Sequence, residues 1–289
     1  MRSHRWYDQP THRPTPTKID TMDETHLLEF AETWHLRQIG PAVLLAVLWA
    51  IESGIGIGGR QRWIHGLRNL SLAVINAGVL LFTFGMVTMV VARFAAAQTW
   101  TPLSWLDQFG WLRFVTAVIC LDAWTYAWHR ANHRFDFLWR FHRVHHSDTA
   151  MNVTTSARFH VGELFMSATL RLMVVGILGI SPAQILVHEL ILVAVSQFHH
   201  ATIRLGRFDH LLRWLIVTPG LHQIHHSRRP QEMHRNFASI LSVWDRLGRS
   251  FRAESVDQEI RFGVPGLDDP EYQTTTGMLK TPWRRHPGS

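Results

Sequence analysis

The chain reads as an all-α protein: a polytopic membrane helical bundle of about three spans plus a helical hairpin, with a cytoplasmic His-rich helical cap built to hold a di-metal site. Three observations lead there. Long apolar runs alternate with basic, His-rich stretches, a block pattern that suits membrane spans better than a soluble core. The chain holds 13 Trp, and belts of interfacial Trp are a membrane habit. Finally, 14 of its 20 His lie between His129 and His234, most of them in clusters with helical spacing. A large soluble helical core is the competing reading of the apolar runs.

Taken in order, residues 1–38 are polar and Pro/Thr-rich and predict a largely disordered tail, with a short amphipathic helix over 25–36. No apolar stretch follows a basic start, so no secretory signal is expected. Residues 39–262 form the expected membrane-embedded catalytic domain. Its first span covers about 39–57, with Glu52 as the only charge, and a polar link (GRQRWIHGLRN) follows. The second span, about 70–96, is long enough to cross with some tilt. A Trp-bearing loop leads to a third span, about 111–128. Two shorter apolar stretches, 164–180 and 182–198, meet at Ser181-Pro182 and predict a hairpin, which either dips in and returns or crosses twice. Residues 263–289 are polar and Pro-containing and predict a loose C-terminal tail.

Charge orients this arrangement as an integral, multi-pass protein. Arg60, Arg62 and Arg68 follow the first span, and Arg130, Arg134, Arg140 and Arg143 follow the third, whereas the loop after the second has only Asp107 beyond Arg93. The positive-inside rule puts the first link and everything after Trp128 in the cytoplasm, so all the His clusters share one face. The net charge of +7 is explained by this asymmetry, or by contact with anionic lipid, without nucleic acid as a partner. A single cysteine, Cys120, excludes an intramolecular disulfide and a Cys-built cluster.

The histidines carry the chemistry. His129/His133 (HRANH), His142/His145/His146 (HRVHH) and His222/His225/His226 (HQIHH) each place two or three imidazoles on one helical face. Such rings repel if protonated and are poorly solvated if neutral, and a shared metal explains them. Eight imidazoles exceed the four that a tetrahedral zinc uses, so two ions are expected. Asp122, two helical turns before His129, either holds a ligand ring by its other nitrogen or pairs with another span. His160 and Glu163 at i+3, His199/His200, His188 in mid-span and His234 are weaker candidates as ligands or as groups behind the ligands.

The pattern resembles the fatty acid hydroxylase/sterol desaturase superfamily of integral-membrane enzymes. The likeness runs from about Leu121 to Phe251, through Asp122/His129/Arg130/His133, FHRVHHSD, TTSARFHVGE, FHHATIRL, LHQIHHS and HRNFASILSVWDRL. It implies a di-metal centre, taken as two iron ions, that activates O2 to hydroxylate or desaturate an unactivated C–H bond of a lipid such as a fatty acyl chain or sterol. It registers His200, rather than His199, with the family's ligand, and it places Asn236 behind the ligands. Thr202 stands where Asn is common, and Asn236-Phe237-Ala238 replaces an NYG-like element, which leaves substrate detail open.

Ligand type alone does not choose iron over zinc, and zinc would be possible in the isolated protein. No haem-attachment motif, Rossmann glycine pattern or Cys cluster is present, so a separate electron donor is expected, a ferredoxin or a cytochrome b5-like protein. The rival readings are a metal-binding membrane protein without oxygenase activity, whether transporter or zinc site, and a zinc hydrolase. The latter would want an HExxH-type Glu, which no cluster contains.

Overall fold

The computed structural model describes residues 24–55, 59–256 and 259–284, with the side chains of 24–38 left aside. Residues 1–23 of the expected N-terminal tail lie outside the described residues. The described residues from Arg37 onward form one compact unit, which carries the site. Its described residues are helical, with two isolated antiparallel bridges, Ile216 to Leu241 and Ser227 to Phe262. In chain order the helices are α1 (Glu24–Gly54), α2 (Arg60–Ala96), α3 (Gly110–Arg134), α4 (Asp136–His146), α5 (Val161–Leu178), α6 (Pro182–His200), α7 (Arg207–Leu212), α8 (Pro219–His225), α9 (Pro230–Met233), α10 (Val243–Leu247) and α11 (Thr275–Lys280).

The link expected between the first two spans is instead the start of α2, which runs unbroken for 37 residues. At 1.5 Å per residue it is about 55 Å long, against about 30 Å of hydrocarbon. Its polar first half is stabilised by burial inside the protein: Arg62, Asn69 and Asn76 all point inward. The predicted hairpin forms at its expected place. Gly179 closes α5 in the left-handed region (φ 77°), where a side chain would run into Thr101. Ser181 then caps α6 reciprocally with Gln184, and Pro182 occupies its first turn.

Among the described residues, α2 and α5 are long and apolar enough to cross a membrane. The three spans plus hairpin expected from sequence reduce to these two on that criterion. α3 carries Arg113 and Asp122, and α6 carries Gln184, His188, Glu189 and Gln197, which lower their hydropathy. Large apolar side chains are nevertheless exposed along α2 and α5, among them Val74, Phe82 and Phe94 of the first and Met173 and Ile177 of the second. Inside, Leu121 and Ala117 of α3 pack on Ala92 of α2, Val175 of α5 and Ile185 of α6.

Residues 263–284 are not a loose tail. Val264, Leu267, Met278 and Pro282 are buried, and Arg143 of α4 donates to the carbonyls of Thr281 (2.6 Å) and Arg284 (2.7 Å). Gln273 accepts from buried Arg158 (2.9 Å) and donates to Ser147 O (2.9 Å). The segment straps α4 in place because buried guanidinium groups need these acceptors.

Glu52, the lone charge of the first span, is fully buried and joins three segments. It accepts from Arg62 (2.7 Å), from Val153 N (3.1 Å), and from the backbone N–H (2.8 Å) and hydroxyl (3.1 Å) of Thr202. Replacing Glu52→Leu deprives Arg62 of its carboxylate and strands the buried N–H of Val153 and the half-buried N–H of Thr202. The expected loss is about 3–5 kcal/mol, read as a lowered denaturation midpoint in detergent micelles.

Candidate metal centre

Four helices bring their C-terminal turns to one place. α3 supplies His129 and His133, α4 supplies His142, His145 and His146, and α6 ends on His200. α8 supplies His222, His225 and, at its cap, His226. Seven residues make a helix here because Thr218 caps it, accepting from Leu221 N, and Pro219 fills its first position.

The nine rings divide into two groups. His129, His133, His142, His146 and His225 form one; His145, His200, His222 and His226 form the other. Within each, one nitrogen per ring lies within 4.8 Å of all the rest. The Nε2 atoms approach closely: His129 to His225 at 3.0 Å, His145 to His200 at 3.2 Å, His200 to His222 at 3.0 Å and His222 to His226 at 3.1 Å. Metal–nitrogen bonds of about 2.0–2.1 Å put neighbouring ligand atoms about 2.9–3.4 Å apart, so these spacings are those of coordination edges. Nε2 of His133, His142 and His146 is buried with no hydrogen-bond partner, an arrangement that a metal would satisfy. An all-imidazole donor set suits iron, copper, nickel or zinc.

The far side of several rings is anchored. Nδ1–H of His142 donates to Glu163 (2.8 Å), which also accepts from Asn132 (3.0 Å). Nδ1–H of His200 donates to Ser196 O (2.7 Å), that of His129 to Phe237 O (2.7 Å) and that of His225 to Arg235 O (2.7 Å). These bonds select the tautomer whose Nε2 lone pair faces the centre. Asn236 stands between the last two acceptors with φ 55°, a twist that Asn tolerates, and so turns two nearby carbonyls to two different helices. Its amide clamps that turn, donating to Leu221 O (3.0 Å) and Arg252 O (2.8 Å).

Some candidates are placed otherwise. Asp122 does not hold His129: it accepts from the Trp244 indole (2.7 Å) and from Leu241 N (3.1 Å), the pairing with another segment that was the alternative. His160 lies outside both groups, because its Nδ1 caps α5 by accepting from Gly162 N (2.9 Å) and its Nε2 donates to Leu279 O (3.1 Å). His199 stacks on His222, with ring centroids 3.9 Å apart, but belongs to neither group. His234, exposed at the rim, sits with Nδ1 3.3 Å from Nδ1 of His133. His188 is buried far down α6, with neither nitrogen partnered.

One supporting cluster escaped sequence reasoning. Asp148 accepts from His65 (3.1 Å), Asn69 (3.2 Å) and Thr155 (2.8 Å), and Arg158 reaches Asn69 (3.1 Å), Val144 O (2.9 Å) and Ser147 (2.9 Å). Burial acts to raise the Asp148 carboxyl, but Arg158 and the His65 hydrogen bond prevail and hold it well below the usual carboxylate range. The signal was the adjacency of Asp148 to HRVHH; its partners are 79 to 83 residues removed along α2 or hidden in a later loop.

Burial first, and then neighbouring imidazoles, push His129, His133, His145, His146, His222, His225 and His226 well below their ordinary value. His200 is pushed down to about 4 by burial. The rings are therefore neutral at pH 7, the form that binds metal.

Comparison with known proteins adds the class. The fatty acid hydroxylase profile matches residues 114–250, which hold all nine rings. Alkylglycerol monooxygenase of Danio rerio is 33% identical over 53% of this chain and 33% of its own length. That of Homo sapiens is 23% identical over 88% of this chain and 54% of its own. Ornithine lipid hydroxylase of Rhizobium tropici is 26% identical over 64% of this chain and 55% of its own. The chain thus spans between a third and about half of these relatives. No solved structure matches it.

Two outcomes test the centre. Glu163→Ala should weaken metal retention about 10–100-fold in chelator competition by freeing the His142 ring. For metal-stripped protein, unfolded imidazoles take up protons near pH 6.5 while the packed rings, with depressed values, do not. Stability is therefore full above that pH and falls as the pH drops below it, which melting curves between neutral and mildly acid buffer will register.

Proposed function

The chain belongs to the fatty acid hydroxylase superfamily through residues 114–250, and from that premise we propose that it is a membrane-bound, O2-dependent di-iron oxidoreductase that hydroxylates an unactivated C–H bond of a lipid. The observation that carries this reading is the division of nine imidazoles, most of them buried, into two adjoining groups at helix ends. Redox-inert zinc does not activate O2, which favours iron. The relatives are named as monooxygenases or hydroxylases acting on alkylglycerol, ornithine lipid and cholesterol, which favours hydroxylation over desaturation and a lipid over a soluble substrate.

When bound, the pair of ions would supply the activation of O2 and the oxidation of the C–H bond. The chain's own part is positional. His129, His133, His142, His146 and His225 would hold one ion, and His145, His200, His222 and His226 the other. Glu163, Ser196 O, Phe237 O and Arg235 O keep four of the rings in the required tautomer. Phe159, stacked on His145, and Phe237, edge-on to His129, exclude water from the two sides. The spans would embed in the bilayer with the His clusters on the cytoplasmic face, so that an alkyl chain meets the centre at the rim. Electrons would come from a separate ferredoxin or cytochrome b5-like donor.

Lipid mass spectrometry of cells with and without the protein is expected to show a lipid gaining one oxygen atom, and purified protein is expected to carry iron. His145→Ala and His225→Ala, one from each group, should each abolish the product. Unchanged product in either variant refutes the ligand assignment, and loss of two hydrogens instead of gain of oxygen refutes hydroxylation.

A further inference from the structure

Outside the centre, the strongest unexplained feature is an exposed apolar surface on the two short helices α7 and α10. Phe208 (57% exposed), Leu211 (71%), Trp214 (71%), Leu215 (65%) and Leu247 (70%) face outward. They form one patch although they come from two segments. Ser242 N donates to Leu215 O (3.1 Å), and Ile216 bridges to Leu241. The Arg246 guanidinium lies over the Trp214 ring, 4.5 Å from its centroid.

The position of the patch is fixed by α3. The Trp244 indole of α10 reaches Asp122, and Arg130 donates to Gly248 O (3.0 Å). Asp122 lies seven residues before His129, about 10 Å back along the helix toward its apolar half. α10 therefore lies along α3 from Asp122 to Arg130, reaching the level of His129, and the segment after α7 is joined to it through Leu215 and Ile216. The charge of the patch is one-sided. Arg204, Arg207, His210 and Arg249 are exposed around it. Its two acids are turned inward: Asp209 is paired with Arg213, and Asp245 accepts from Phe237 N (2.7 Å) and Ala238 N (3.0 Å).

An apolar face of Phe, Leu and Trp rimmed by arginine is the composition of an element lying in a headgroup layer. We propose that α7 and α10 form a second membrane contact, a patch that sinks into the leaflet beside the bundle and takes as its partner a phospholipid surface with anionic headgroups. This rests on the reading of the bundle as membrane-embedded. The patch adjoins the centre along the chain: α8, which carries His222 and His225, begins four residues after Leu215.

The test needs neither substrate nor turnover, so its failure is distinct from failure of the proposed activity. With Cys120→Ser as background, nitroxide labels go on Phe208→Cys, Leu211→Cys and Leu247→Cys, and on Gln231→Cys as an exposed site on α9. The protein is reconstituted in phosphatidylcholine vesicles containing a minor share of phosphatidylglycerol. Labels at 208, 211 and 247 are expected to collide more with dissolved O2 than with a water-soluble nickel chelate, and the label at 231 the reverse. Chelate access at the first three equal to that at 231 overturns the proposal, as does spin–spin broadening at those positions, which would make the occupant a second copy of the chain. Because α7 and α10 are labelled separately, one variant that fails to fold leaves the other to decide.

Discussion

Everything in this protein is subordinate to the meeting of nine imidazoles, most of them buried. Lone pairs facing one another at 3.0–3.2 Å repel, and a single proton between two rings relieves only one pair at a time. Protonating the rings would place like charges side by side without solvent. Cations shared by several rings remove both penalties together. The surrounding chain is therefore organised to keep lone pairs converging when its own packing would drive them apart.

That organisation has an inner and an outer layer. The inner one is the set of Nδ1 acceptors, largely backbone carbonyls, which cannot be mutated and need only a correctly turned loop. Asn236 supplies the turn, and Asp245 secures it by accepting from the two N–H groups that follow. The outer layer consists of buried charges that tie distant segments to the ligand helices. Glu52 joins α1 to the loop after α6, Arg143 and Arg158 fasten α4 to the C-terminal strap, and Asp122 joins α3 to α10. Each is costly to break, because removing one partner leaves the other desolvated.

What was legible in the sequence follows from range. Clusters at i, i+3 and i+4 report on a single helix, so the three His groups, the hairpin at Ser181-Pro182 and the apolar belt could be read directly. How the rings divide into two groups could not, because each group draws on three helices: His142 and His146 go one way and His145 the other, although all three lie within five residues of α4. Likewise α2 reads as a span behind a polar link, since its inward Asn69 and Arg62 look like loop residues until Asp148 and Glu52 are seen opposite them. The strap over 263–284 reads as a tail for the same reason: its polar residues are acceptors for arginines more than a hundred residues earlier.

The direction of the ligand helices adds an electrostatic argument. α3, α4, α6 and α8 all present their C-terminal turns to the rings. A helix C-terminus carries roughly half a negative charge and carbonyls without partners in its own helix. The clustered imidazoles bring no acid to the centre, and the two divalent ions proposed there would bring four positive charges into a confined space. Four C-terminal dipoles, with the Glu163 carboxylate behind His142, would oppose that charge without placing an acid among the clustered rings. The same choice fits the placing of His133, His145, His146, His200, His222 and His225 in the last turns of their helices, since N-terminal turns would meet a cation with positive dipole ends.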